Sequence, residues 1–107
     1  MDARTERIGR NEDLFRKVND QIEGVNEAFG MLTGTMSILC ECGKTECIEQ
    51  IEVTIDAYRE LRSDPTRFAV IPGHEIPDVE RVVERHEGYD VVQKEEGGPA
   101  ELAEDLA

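Results

Sequence analysis

Tryptophan is absent from this chain, and only two tyrosines and three phenylalanines stand among its 107 residues. A surface that stacks nucleobases needs exposed rings, so this supply argues against one. Positive charge is scarce as well: 12 Lys and Arg face 25 Asp and Glu, a net of −13. Affinity for nucleic acid comes mostly from neutralising phosphates. The chain is therefore expected to bind neither nucleic acid nor an anionic membrane surface. No long hydrophobic run exists. The longest mostly apolar stretch, "FGMLTGTMSILC", is too short and too broken by glycine to cross a bilayer. There is no P-loop, no G-x-G-x-x-G and no G-x-S-x-G, so the common nucleotide and hydrolase signatures are missing. "MDARTERIGRNEDLF" lacks the apolar stretch of a secretion signal, and a cytoplasmic location is expected.

What is present suits a folded domain. Hydrophobic residues make up 38% and charged residues 35%, too apolar for a disordered chain. The acidity is uneven: residues 1–39 carry a net of −2 and residues 76–107 a net of −7. Solubility is the plainest use of such a surface. A basic protein partner or mimicry of nucleic acid is the alternative.

Ile8, Asn11, Phe15, Val18, Ile22, Val25, Phe29 and Leu32 recur in steps of three and four. That spacing predicts a long amphipathic helix ending near Gly30. It fits burial against the domain's own sheet, or a seam with another helix, in which Asn11 could set register. "TMSILC" and "IEQIEVTI" predict two strands of a hairpin with a loop at its tip. Thr54 can cap a short helix over 55–63, which Asp64-Pro65 ends. "RFAVI" predicts a strand closed by Pro72-Gly73, and "YDVVQK" another. Between them, Val79, Val82, Val83 and His86 fall at helical spacing, which predicts a second short helix over 77–88. The expected fold is α+β: a long N-terminal helix and a small, mostly antiparallel sheet with two short helices, clipped by a metal-binding loop. The expected division is an amphipathic helix over 1–32, a metal-binding domain over 33–95, and an acidic flexible tail over 96–107 with a helical turn pairing Leu102 and Leu106.

The chain's three cysteines all lie in "CECGKTEC", residues 40–47. Clustered thiols in a reducing compartment more often bind metal than form disulfides. Cys40, Cys42 and Cys47 are three candidate ligands, and structural Zn²⁺ takes four in a tetrahedron. Gly43 lets the loop fold back, and Glu41 and Glu46 add negative charge. Only two histidines exist to complete the set. His74, in "PGHE", is presented by a Pro-Gly turn and is the predicted fourth ligand. His86 reads as a half-buried helix residue. A carboxylate or water, three metal-free thiols, a redox pair, and a Cys-His nucleophile with Cys40 or Cys47 are the competing readings. For Cys47 and His74 to meet, the strands they flank are expected to run antiparallel.

"RNEDLFRKVND", "CECGKTEC", "SDPTRFAVIPGHE" and "ERVVERHEGYDVVQK" together resemble a group of short uncharacterised bacterial proteins, over roughly residues 10–94. The C-E-C-x4-C cluster and P-G-H-E are the most specific pieces. The resemblance implies a bacterial cytoplasmic setting and adds no catalytic residue. The functional expectation is a non-catalytic zinc-binding interaction or regulatory protein. It would engage a protein partner, or itself, through the N-terminal helix. The alternative is a small hydrolase-like zinc enzyme with an open metal position and Glu75 as base.

Overall fold

The computed structural model describes residues 1–28 and 34–107. In chain order it contains α1 (Ala3–Ala28), β1 (Thr35–Leu39), β2 (Gln50–Thr54), α2 (Ile55–Arg62), β3 (Arg67–Val70), β4 (Glu80–His86), β5 (Tyr89–Lys94) and α3 (Gly98–Leu106). The predicted helix end at Gly30, and the stripe positions Phe29 and Leu32, lie outside the described residues.

The β1–β2 hairpin forms as its alternation predicts. Met36 sits opposite Val53 and Ile38 opposite Ile51, all four buried, while Ser37 and Glu52 face outward. Thr54 ends β2 and starts α2: its Oγ1 accepts the Ala57 N–H at 3.0 Å, satisfying one of the helix's free donors. Tyr58 and Leu61 of α2 then join the hairpin's buried face.

The second sheet has the order β3-β5-β4, antiparallel throughout. The helix expected over 77–88 is not there: residues 80–86 form β4, and Glu87 and Gly88 turn the chain into β5. Gly88 takes a φ of +87°, a conformation open to glycine at that turn. The misreading has a physical cause. Both faces of this sheet are covered, so its strands carry adjacent apolar residues in place of alternation. Val91 packs with the hairpin and α2, while Val92 packs with Cys40, Cys42 and Phe68 on the other face. Val82 and Val83 divide in the same way, beside a bulge between Val82 and Glu84. Paired valines beside a bulge imitate a helical repeat.

The face α1 buries is not its apolar stripe. Ile8, Gly9, Glu12, Asp13, Arg16 and Asn19 are buried, a set mostly one position along from the stripe. Phe15, Val18 and Ile22 are half-buried and Val25 is 58% exposed. One position is about 100° on a helix, so polar side chains point inward and the stripe lies at the margin. Where the sequence reads as an acidic tail, α3 packs on α1. A Cβ at Gly9 would stand 2.7 Å from Leu102, and Arg16 donates to the Ala103 carbonyl at 3.0 Å. Among the described residues, no helix is long and apolar enough to cross a membrane.

Candidate metal centre

The chain leaves β1 into an irregular loop that returns at Gln50. Its first residues lie along β3: the Glu41 N–H donates to the Ala69 carbonyl at 2.8 Å, and the Ile71 N–H donates to Cys40 Sγ at 3.2 Å. The loop closes on itself where the Cys40 N–H meets the Glu49 carbonyl at 2.9 Å and the Cys47 N–H meets the Lys44 carbonyl at 3.0 Å. Gly43, with a φ of +79°, turns the chain between the second and third cysteines. Beyond β3, Pro72-Gly73 forms a tight turn in which the His74 N–H reaches the Ile71 carbonyl at 2.9 Å. That turn brings the imidazole back over the cysteines.

Cys40, Cys42, Cys47 and His74 converge. One ligand atom from each lies within 4.8 Å of all the others, a group that can hold a metal ion. His74 Nδ1 stands 3.6 Å from Cys40 Sγ and 3.8 Å from Cys47 Sγ. Cys40 and Cys42 are fully buried, and Cys47 and His74 form the outer edge. The juxtaposition does not come from paired strands. β2 and β3 belong to different sheets, and the cysteines reach His74 because the loop itself runs along β3.

The thiols do not titrate alike. Hydrogen bonding from Cys40 first, then from the Lys44 amide and His74, pulls Cys42 down to about 5. Cys40, which gives its proton toward Cys42 and is buried, is pushed well up, and burial raises Cys47. Each sulfur also meets a backbone N–H, from Ile71, Lys44 and Glu49 in turn. Such donors favour thiolate, the form that binds metal.

Other candidates fall elsewhere. His86 is exposed on β4, with Nε2 2.8 Å from Glu84 Oε1 and its ring stacked 4.6 Å from Tyr89. Glu75 is half-buried and lies outside the four-residue group. Glu41 is fully buried, and its charge is committed to Arg62 at 2.6 Å, Asn19 at 2.8 Å and the Ala69 amide at 3.0 Å. It braces the loop between two cysteines instead of adding free charge to the site, whereas Glu46 is exposed. Sequence reasoning passed over Glu49, whose carboxylate is 3.4 Å from His74 Nε2 and so leaves Nδ1 facing the sulfurs. It passed over Asn19 too. Asn11 gave a signal, a polar residue within an apolar stripe, but it serves the loop by donating to the Gly43 carbonyl at 3.1 Å. No family model, curated protein or solved structure matches the chain.

Proposed function

We propose that the chain is a non-catalytic zinc-binding interaction protein of the bacterial cytoplasm, with Zn²⁺ held structurally by Cys40, Cys42, Cys47 and His74. The convergence of four donors carries this reading. A tetrahedral Zn²⁺ with Zn–S of about 2.3 Å and Zn–N of about 2.05 Å sets N···S near about 3.6 Å. The two separations from His74 Nδ1 are 3.6 and 3.8 Å. Three soft thiolates and an imidazole are a donor set suited to zinc, and hard cations prefer oxygen. A hydrolase-like site needs an open position for water, and in this set a fourth protein donor takes it. Protein purified under reducing conditions without chelator is expected to carry about one zinc per chain by elemental analysis. A folded chain that holds no metal would overturn the reading.

For the partner we propose a second copy of the chain, met through α1. Val18, Gln21, Ile22, Val25 and Asn26 line a groove on that helix without a single charged side chain, although 35% of the chain is charged. Two such faces can meet without repulsion, and the apolar spacing along them suits helix pairing. Light scattering is expected to show an oligomer that Ile22→Glu with Val25→Glu converts to monomer, zinc content unchanged. A wild-type chain that stays monomeric at high concentration removes self-association.

A further inference from the structure

We propose, on the footing of the zinc site above, that metal occupancy controls the docking of α1, so that losing the ion frees the helix face that now grips the loop. The contacts that join the two are unusually direct. Asn19 donates to the Leu39 carbonyl at 2.9 Å and to Glu41 Oε2 at 2.8 Å, and its own Oδ1 accepts the Leu39 N–H at 2.8 Å. Asn11 donates to the Gly43 carbonyl. These partners are the residues just before Cys40, between Cys40 and Cys42, and just after Cys42. Packing follows the same line: a Cβ at Gly43 would lie 3.1 Å from both Glu12 Cγ and Ile8 Cγ2. Gly43 lies against these helix side chains and leaves no room for a side chain of its own.

The chemistry of this interface makes it conditional. Of the buried α1 positions only Ile8 carries a sizeable apolar side chain; Glu12, Asp13, Arg16 and Asn19 are polar or charged. Apolar faces adhere across small displacements, because burial is non-directional. Buried amides and carboxylates do not: each is favourable only while its partner stays within hydrogen-bond geometry, and costly once it moves. Of the partners, Glu41 and Gly43 belong to the irregular loop between β1 and β2, Leu39 ends β1 where that loop begins, and Glu12 meets Lys94 of β5. A bound ion would clip this loop at both ends and to His74; without the clip its carbonyls lose their fixed positions. A second set of anchors lies away from the loop. Arg16 reaches the Pro65 carbonyl at 2.6 Å and the Ala103 carbonyl at 3.0 Å, and Tyr58 donates to Asp20 at 2.5 Å. The helix therefore loosens where Asn11 and Asn19 meet the loop and stays tethered through Glu12, Arg16 and Asp20. Coupling of this kind is reciprocal, so whatever weakens docking of α1 weakens metal binding by the same factor.

Hydrogen exchange on the full chain, zinc-loaded and chelator-stripped under reducing conditions, tests this. Amides of residues 8–19 are expected to exchange about tenfold faster or more in the stripped chain, the factor for roughly one lost buried hydrogen bond. The amides of β4 and β5 are expected to change little. Asn19→Ala is expected to speed exchange over residues 8–19 in the loaded chain and shrink its response to zinc. It should also weaken zinc binding about tenfold, while one zinc per chain still binds at saturation. Zinc binding with unchanged protection in α1 would overturn the coupling and leave the zinc site standing. Equal acceleration across β4 and β5 would also overturn it, since the effect would then be global. A chain that takes up no zinc at all removes the site and the coupling together.

Discussion

His74→Ala is expected to strip the chain of stably held zinc, whereas His86→Ala is expected to keep it. Structural zinc in small domains binds with roughly 10–16 kcal/mol, so one ligand of four carries about 3 kcal/mol, more than a hundredfold in affinity. In a domain of this size that loss lowers Tm by about 10 °C or more for the zinc-loaded protein. His86 stacks on Tyr89 and pairs with Glu84 at the turn end of the β4–β5 hairpin, so its removal leaves the donors untouched. Glu49→Ala should fall between the two, about 10–100-fold weaker, because the carboxylate orients the ring without touching the ion. Competition with a chromophoric chelator gives the affinities, and differential scanning calorimetry the Tm. Equal retention by wild type and His74→Ala would remove the histidine from the site.

The cysteines and His74 were readable because each signal is local. Three thiols within eight residues and a histidine behind a Pro-Gly turn need no knowledge of the fold. Thr54 as a helix cap and the alternating β2 were readable for the same reason. What was hidden depends on tertiary surroundings. Asn11 and Asn19 are ordinary surface-type residues until the loop arrives beside them, and Glu49, within the loop, until His74 does. β4 was hidden because cover on both faces of its sheet removed the alternation that marks a half-exposed strand. The buried side of α1 was hidden by a rule that usually holds. Apolar periodicity marks the inward face of a helix, but here Glu12, Asp13, Arg16 and Asn19 take that place. Glu12, Arg16 and Asn19 find partners far along the chain that no local pattern announces, while Asp13 pairs within the helix with Arg16 and Lys17.

Those partners set the largest stability effect expected from a single substitution remote from the cysteine cluster. Lys94 is 2% exposed, and its ammonium lies 2.6 Å from Glu12 Oε1 and 3.2 Å from Glu80 Oε1. Lys94→Met keeps the aliphatic volume and leaves two buried carboxylates without their cation, a change expected to cost about 3–5 kcal/mol in urea unfolding. A loss below about 1 kcal/mol would mean that water or rearrangement already serves the carboxylates. Glu12→Gln should behave in the opposite sense. Burial first, and then the facing Glu80 carboxylate, hold the Glu12 carboxyl well above the ordinary 4.5 of a glutamate, against the pull of Lys94. The folded chain thus binds this proton more tightly than the unfolded one. Its stabilising effect is complete below about pH 4.5 and is lost as pH rises toward the folded value. Asp13 acts in a separate window. Hydrogen bonds from Lys17 and Arg16 outweigh its burial and lower its carboxyl below the ordinary 3.8, so its contribution is present above that value and is lost only in stronger acid. Wild type should therefore lose stability relative to Glu12→Gln as pH rises above about 4.5, since glutamine has no proton to release. Unfolding free energies that run parallel with pH in the two proteins would show that Glu12 does not carry the proton. Combining Lys94→Met with Glu12→Gln should then recover part of the loss, because only one buried carboxylate remains to be neutralised.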